Sequence, residues 1–197
     1  YGSAYSSAVT FSGGGSFFLD TSTALTETWT VGSGSEVYHV NGNGTILDLS
    51  SNGNIVFNGA TMYVSDCVVR GLSDTNAFKG TGRYVFSNVT LEMGANFTRT
   101  DGSFTFRGEA CKVITNGATF NISGAGNEIL VDGIILKYDQ LDGSGTNPFS
   151  AVSGGAINFA NNGSIQSGMG VSSDDLIIAT TNYTFTRHFA LATSSTI

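Results

Sequence analysis

The amino-acid sequence predicts an all-β protein, and its pattern favours a parallel β-solenoid (β-helix). Three observations lead to this prediction. Apolar residues rarely recur at the three- and four-residue spacing of a helix, whereas short apolar or alternating runs occur throughout. Gly, Asn and Asp separate these runs at positions typical of turns. Strand starts in the middle of the chain recur every 20 to 29 residues, which is the length of one solenoid coil.

Each repeat begins with a strand in which two apolar residues flank one residue of any type. Alternation along such a strand directs Ile, Val, Phe and Leu to one side and Ser, Thr and Asn to the other. One coil cannot bury its apolar side alone, so we expect the coils to stack on one another. The strands that start the repeats are Asn54–Phe57, Arg83–Phe86, Ser103–Phe106, Asn127–Val131 and Ala156–Phe159.

An antiparallel β-sandwich or jelly roll is the alternative fold. Dipeptides typical of hairpin turns are frequent, as in Asn52-Gly53, Asp101-Gly102 and Asn116-Gly117. The same dipeptides also fit the corners of solenoid coils, where a positive φ is often needed. The irregular spacing of the repeats is the main argument for this alternative.

Composition divides the single all-β domain, residues 1–197, into three segments. Residues 1–35 are rich in Gly, Ser and Thr, and we expect them to form an N-terminal cap or pairing segment. Residues 36–173 are the predicted solenoid core, and residues 174–197 are a predicted C-terminal strand segment. A solenoid exposes a sheet edge at each end, so the end segments must cap these edges or pair with another chain.

The charge pattern argues against several classes of partner. Charged residues make up only 12% of the chain, about half of the usual share, and the net charge is −7. The eight Lys and Arg residues are scattered, so we expect no nucleic-acid partner. We find no apolar run long enough for a membrane span. The first residue is Tyr1 rather than Met, as expected for a chain whose leader has been removed.

Cysteine residues and glycosylation sequons fit an extracellular or cell-surface location. Cys67 and Cys111 are predicted either to form one disulfide or to be two buried, small hydrophobic residues. The Asn-x-Ser/Thr sequons permit a glycoprotein if the source has the machinery for N-glycosylation. These sequons are at Asn43, Asn88, Asn96, Asn121, Asn162 and Asn182.

A middle segment resembles the coils of bacterial secreted parallel β-helix proteins. The residues that carry this resemblance are Gly82–Met93 followed by Gly102–Gly108, with a strand, an Asn-x-Thr-Leu sequence, a turn and a second strand. Autotransporter passengers and related surface or filament proteins have this pattern of short strands and turns. In the present chain the resemblance covers about residues 45–160. The resemblance implies a right-handed β-helix displayed outside the cell, and it transfers no functional residue.

No group of residues predicts catalysis, a cofactor or a metal site. Adjacent Asp174 and Asp175 on a strand would point to opposite faces, unlike the paired carboxylates of a glycosidase. The Gly-rich stretch Asp139–Asn147 offers oxygen ligands for Ca²⁺ but lacks the EF-hand spacing, so a solvated turn is expected. His39 and His188 have no nucleophile motif nearby and are interpreted as ordinary strand residues.

These observations favour a structural protein over an enzyme. The first hypothesis is a subunit of an extracellular filament, sheath or surface layer that polymerises with itself by strand addition or end-to-end β stacking. The alternative is a surface adhesin or glycan-binding module. A polysaccharide-active enzyme lacks candidate residues, and an ice-binding protein lacks a regular Thr-x-Thr on every coil, so both are less favoured.

Overall fold

The structure is a computed structural model that describes residues 4–5, 7–75, 77–139, 147–167 and 183–185. All regular secondary structure in these ranges is β-strand, and every strand pair is parallel. The strands wind into a β-solenoid of about six turns. The solenoid prediction is therefore confirmed, and the antiparallel alternative is not the fold.

The strands of the described residues form three faces of the solenoid. The strands of the first face are β3 (Gly15–Phe18), the first halves of β6 (Val37–Asp48), β8 (Thr61–Leu72) and β10 (Arg83–Met93), and then β12 (Phe104–Arg107), β15 (Glu128–Asp132), β18 (Ala156–Ala160) and β20 (Tyr183–Phe185). The strands of the second face are β1 (Ala4–Tyr5), β4 (Thr23–Leu25), the second halves of β6, β8 and β10, β13 (Lys112–Ile114), β16 (Ile135–Asp139) and β19 (Ser164–Ser167).

The third face is divided between two separate sheets. The first sheet contains β2 (Val9–Phe11), β5 (Thr28–Val31), β7 (Asn54–Phe57) and β9 (Phe78–Lys79). The second contains β11 (Phe97–Arg99), β14 (Phe120–Ser123) and β17 (Phe149–Val152). The ladder of backbone hydrogen bonds is therefore interrupted on this face between β9 and β11.

One of the five predicted coil starts is out of phase with the others. Four of them begin strands of the first face, but Asn54–Phe57 forms β7 on the third face. The first-face strand of the next coil begins at Thr61 instead. Because all three faces use the same apolar-x-apolar pattern, the sequence pattern alone does not distinguish one face from another.

The long strands β8 and β10 bend sharply where the first face meets the second. Asp66 and Asn88 occupy the same place on successive coils and have left-handed φ values of 56° and 54°. Asn and Asp adopt this conformation more readily than other side-chain-bearing residues. These two residues therefore explain how an unbroken strand can turn from one face to the next.

The core contains the inward residues of all three faces, stacked from coil to coil. Rings on neighbouring coils are in contact: the Phe86 and Phe106 ring centroids are 5.2 Å apart. Rings from two faces of one coil also meet, as the Phe104 and Phe120 centroids do at 5.7 Å. Each of these rings is fully buried. Burial of one such ring stabilises the fold by about 1.5–3 kcal/mol, so the stacked rings are a main source of stability.

Both cysteines lie in this core as free thiols. Cys67 pairs in register with Val89, and Cys111 immediately precedes the β13 residue that pairs with the residue after Val89. Val89 thus separates the two cysteines by two strand spacings, about 10 Å, which is beyond the reach of a disulfide. The structure therefore shows the second of the two predicted arrangements, two buried hydrophobic residues, and the disulfide is not formed.

Candidate functional site

The first coil ends in open strand edges. Among the described residues, β1 pairs only with β4, β2 only with β5, and β3 only with β6. The Leu19 N–H donates to the Asn41 carbonyl at 2.9 Å, and alternate residues of a parallel strand bond to the same neighbour. The N–H groups of Ser16 and Phe18 therefore face the open edge.

The apolar side chains of the first coil are incompletely covered. Phe11 and Phe17 are only partly buried, although their ring centroids lie 4.6 Å apart and Phe17 stacks on Tyr38 at 5.7 Å. The side chain of Phe18 is 71% exposed. Gly15 pairs with Tyr38 at an inward position, and a Cβ built on this glycine would meet no atom within 4 Å. The end of the core is therefore apolar and has room for additional side chains.

The outer side of the first face is crossed by polar side chains bonded to one another along the solenoid axis. Arg83 donates from Nη1 to the Thr105 hydroxyl at 2.9 Å and from Nη2 to Glu128 Oε1 at 2.8 Å. Asn158 Nδ2 donates to the other oxygen of Glu128 at 2.6 Å. These bonds link four successive coils, so the charged groups are satisfied within the subunit.

His39 belongs to a stack of rings on the same outer face. Its imidazole lies parallel to the ring of Tyr63, with centroids 4.8 Å apart, and the guanidinium of Arg107 lies 5.5 Å from the Tyr63 centroid. His39 and Arg107 come from opposite sides of β8, so they cover both faces of the Tyr63 ring. Tyr63 is therefore not available as a stacking platform for a sugar ring.

A shallow groove of about 370 Å³ lies beside this stack. Its lining includes the exposed ring of Phe18 and the polar side chains of Ser16, Asn41 and Ser65. Sugars are commonly held by one aromatic face together with hydroxyl and amide groups. Phe18 is the ring that supplies such a face here.

Two charged side chains bridge the gap between the two sheets of the third face. Arg99 occupies an inward position of β11 and is 2% exposed. Its guanidinium donates to the carbonyl oxygens of Phe78, Gly80 and Gly82, with the Gly80 bond at 2.7 Å and the Gly82 bond at 3.0 Å. On the other side of the gap, Asp74 Oδ1 accepts the Thr98 N–H at 2.6 Å. Arg99 and Asp74 thus replace strand-to-strand backbone bonds.

The environment of Arg99 indicates a structural role. The guanidinium carbon lies 5.1 Å from the Tyr84 ring centroid and 5.0 Å from that of Phe104. Burial lowers the pKa of Arg99, an effect that Tyr84 and Asp101 oppose, and burial raises the pKa of Tyr84. The Tyr84 hydroxyl contacts the Ile55 and Lys79 carbonyl oxygens at 2.9 Å. The adjacent cleft has a volume of only about 130 Å³.

The alternation of residues along β11 is the sequence signal for the inward position of Arg99. Phe97, Thr98 and Arg99 alternate in the sequence, which places Arg99 on the same side as buried Phe97. Arg99 is nevertheless not identified as a core residue from the sequence, because a charged residue is normally assigned to the surface.

Several sequon asparagines have structural roles in the described part of the chain. Asn88 Nδ2 donates to Asp66 Oδ1 at 2.8 Å, and Asn121 Nδ2 donates to the Thr98 hydroxyl at 3.3 Å. Asn96 Oδ1 accepts the Thr119 N–H at 3.0 Å. Each bond connects two coils, so selection for structure also explains these asparagines, and glycosylation stays a prediction.

The remaining sequons differ in their positions. Asn43 and Asn162 are exposed residues with φ values of 48° and 65°. Asn182 lies outside the described residues.

Several residues considered for catalysis or metal binding also lie outside the described ranges. They are Asp174, Asp175, His188 and residues 140–146 of the Gly-rich stretch. Within the described ranges, no three His, Cys, Asp or Glu side chains lie close enough together to share a metal ion. The same ranges contain no helix with the length and apolarity required to cross a membrane.

Comparisons with protein-family models, curated proteins and solved structures find no match to this chain.

Proposed function

We propose that this protein is a structural subunit of an extracellular filament, sheath or surface layer whose copies join end to end by β-strand pairing. The observation that carries the proposal is the first coil, where no other described strand pairs with the outer edges of β1, β2 and β3 around the partly buried rings of Phe11 and Phe17. An open strand edge is a template for pairing with another chain unless it is covered.

The sides of the solenoid are less suited than its end to hold subunits together. On the first face, Arg83, Thr105, Glu128 and Asn158 are bonded to one another, and the rings of His39 and Tyr63 are stacked together. Contacts at such a surface would have to replace bonds that already exist. The end offers unpaired backbone groups and apolar area together, and strand addition uses both.

The extracellular location in this proposal is supported by composition and by resemblance. Low charge and many Ser, Thr and Asn residues suit outward rows on stacked strands, and residues 45–160 resemble coils of bacterial secreted β-helix proteins. Immunogold labelling of intact source cells tests this part of the proposal. Label confined to the cell interior would contradict it.

A proline at position 16 tests the assembly directly. Ser16 is exposed and its N–H faces the open edge, so Ser16→Pro removes an edge donor without removing a bond to β6. We expect the unaltered protein and the matched Ser16→Ala control to form fibres or sheets in negative-stain electron microscopy. Ser16→Pro should stay monomeric in size-exclusion chromatography, with an unchanged circular dichroism spectrum. Equal polymerisation of all three proteins would refute the proposal.

A surface adhesin that binds glycans is the second candidate, and the groove beside Phe18 favours it. Here the exposed ring lies next to Asn41 and Ser65, which can bond to sugar hydroxyls. This function predicts saturable binding on a glycan array that Phe18→Ala abolishes while circular dichroism stays unchanged. Absence of binding by the unaltered protein would eliminate this candidate.

A further inference from the structure

We infer that Asn43 and Asn162 carry N-linked glycans in the protein made by its source, and that Asn88 and Asn121 do not. This inference rests on the extracellular location in the proposed function, because N-glycosylation marks surface positions of secreted proteins. It goes further by separating sequons that the sequence alone treats as equal, and by placing the glycans along one corner of the solenoid.

Several sequons lie at the corner where the first face meets the second. Asn43 is within β6, Asn88 is within β10, and Asn162 lies between β18 and β19. These asparagines have left-handed φ values of 48°, 54° and 65°. Asparagine adopts this conformation more readily than most residues, so the turn alone explains its presence here. The surroundings of each side chain are what distinguish one site from another.

Asn43 lies at the top of a bulge, in which three residues of β6 stand opposite Asp66 of β8. A Cβ on Gly42 would collide with Cys67, whereas a Cβ on Gly44 would meet no atom within 4 Å. The bulge therefore packs against the neighbouring coil at its first residue and projects outwards at the next two. The Asn43 side chain is exposed and makes no hydrogen bond within the described part of the chain.

Asn162 has a similar arrangement on a later coil of the same corner. The next residue is again a glycine, Gly163, on which a Cβ would collide with the Val131 carbonyl group of the neighbouring coil. Asn161 donates from Nδ2 to Asp132 Oδ1, whereas Asn162 is exposed and its side chain has no bond to any described residue. The strands β6 and β18 are five coil steps apart, about 24 Å, so the two glycans have separate space.

The amide groups of Asn88 and Asn121 are instead directed at neighbouring coils. Asn88 Nδ2 donates to Asp66 Oδ1 at 2.8 Å. Asn121 lies between two coils, since its Nδ2 donates to the Thr98 hydroxyl at 3.3 Å and its Oδ1 accepts the Ser150 hydroxyl at 2.5 Å. A glycan is bulky and is attached to Nδ2, so at either site it would have to displace a bond between coils.

The modification itself joins Nδ2 to the anomeric carbon of a sugar on a lipid-linked diphosphate donor. The bond from that carbon to the diphosphate breaks, the diphosphate leaves with the bonding electrons, and the amide gives up one proton to a base. The hydroxyl residues that complete the sequons are Thr45 and Ser164. Attachment at Asn43 and Asn162 therefore adds a glycan without breaking a side-chain bond of the described solenoid.

Site mapping of the protein isolated from source cells tests the inference. Peptide N-glycosidase in isotopically labelled water converts each glycosylated asparagine to labelled aspartate, which mass spectrometry of the peptides then locates. We expect label at Asn43 and Asn162, and unmodified asparagine at positions 88 and 121. A sample kept in the same water without the enzyme is the control, because the Asn-Gly sequences at the two expected sites can also deamidate spontaneously.

A matched pair of substitutions confirms the first site. Thr45→Ala removes the sequon of Asn43 and should lower the intact mass by one glycan, whereas Thr45→Ser keeps the sequon and the glycan. Circular dichroism should be the same for both variants. Bare Asn43 and Asn162 in extracellular protein, or equal occupancy of all four mapped sites, would overturn the inference and leave the proposed assembly in place. Glycosylated protein that forms no fibres would overturn the assembly alone, and protein found only inside the cell would overturn both.

Discussion

The middle coils and the first coil are built from the same three-strand unit, yet they bury their apolar residues to different extents. In the middle, Tyr84, Phe86 and Phe104 are fully buried because a coil lies on either side of them. In the first coil, Phe17 is only partly buried and Phe18 is exposed. The local sequence pattern is similar in both regions, so the neighbouring coil decides how much of each ring is covered.

This difference separates the determinants of stability from those of assembly. Substitutions in the middle coils remove contacts that exist within one subunit, so they should lower the free energy of unfolding. Substitutions at the first coil remove surface that would be covered only by a partner, so they should act mainly on polymerisation.

The largest effect on stability is expected for Arg99→Ala in the middle of the molecule. The substitution leaves the carbonyl oxygens of Phe78, Gly80 and Gly82 without this donor and opens a cavity between two rings. We expect a loss of at least about 3 kcal/mol in the free energy of unfolding, measured by urea titration. The matched control, Arg107→Ala at an exposed site, should cost less than about 1 kcal/mol. Equal costs would show that Arg99 does not hold the third face together.

Replacement of one phenylalanine by alanine in each region compares the two regions through the same chemical change. Phe104→Ala should lower the free energy of unfolding by about 3–5 kcal/mol, because its ring is fully buried. Phe17→Ala should cost the isolated subunit about half as much, because its ring is only partly buried, and it should abolish fibres in electron microscopy. A Phe17→Ala protein that polymerises normally would remove the first coil from the assembly interface.

The middle coils should also lose stability at alkaline pH through Cys67. Burial, with smaller contributions from Asp66 and Cys111, raises the pKa of this thiol from 9.0 to about 12. The folded protein therefore holds the proton more tightly than the unfolded chain, and this contribution is complete below pH 9 and disappears as the pH rises towards 12. We expect it to have fallen by about 1 kcal/mol at pH 10.

Urea titrations at pH 8 and pH 10 measure this effect against Cys67→Ala. The stability of Cys67→Ala should decrease less between the two pH values, because it lacks the thiol. Identical decreases would show that this thiol does not titrate differently in the folded and unfolded states.

A similarly small effect is expected at the corner between the first and second faces. Asn88→Ala replaces a residue with a φ of 54° and removes its bond to Asp66, so we expect a cost of about 1–2 kcal/mol in urea titrations. Asn88→Gly removes the same bond but accepts the positive φ, and it should cost less. If the two variants are equally stable, the backbone conformation at this corner contributes little.

The sequence was sufficient to predict stacked parallel strands because alternation and turn residues recur with the coil length. It did not predict that Asn54–Phe57 lies on the third face and not on the first, since every face uses the same alternation. Alternation places Arg99 inward, but the sequence left it unassigned because the three carbonyl groups and two rings that accommodate its charge come from other segments and show in no local pattern. The open edges at Ser16 and Phe18 likewise became visible only when the strand pairing was known.

Cryo-electron microscopy of polymerised, unaltered protein is the most direct test of end-to-end assembly. The eight strands that the described residues stack on the first face, at about 4.8 Å each, predict a fibre one solenoid wide with an axial rise of about 38 Å per subunit. A rise near 38 Å, with continuous sheets across each joint, would match the account. Single particles at every concentration, or fibres whose only axial repeat is about 4.8 Å, would contradict it.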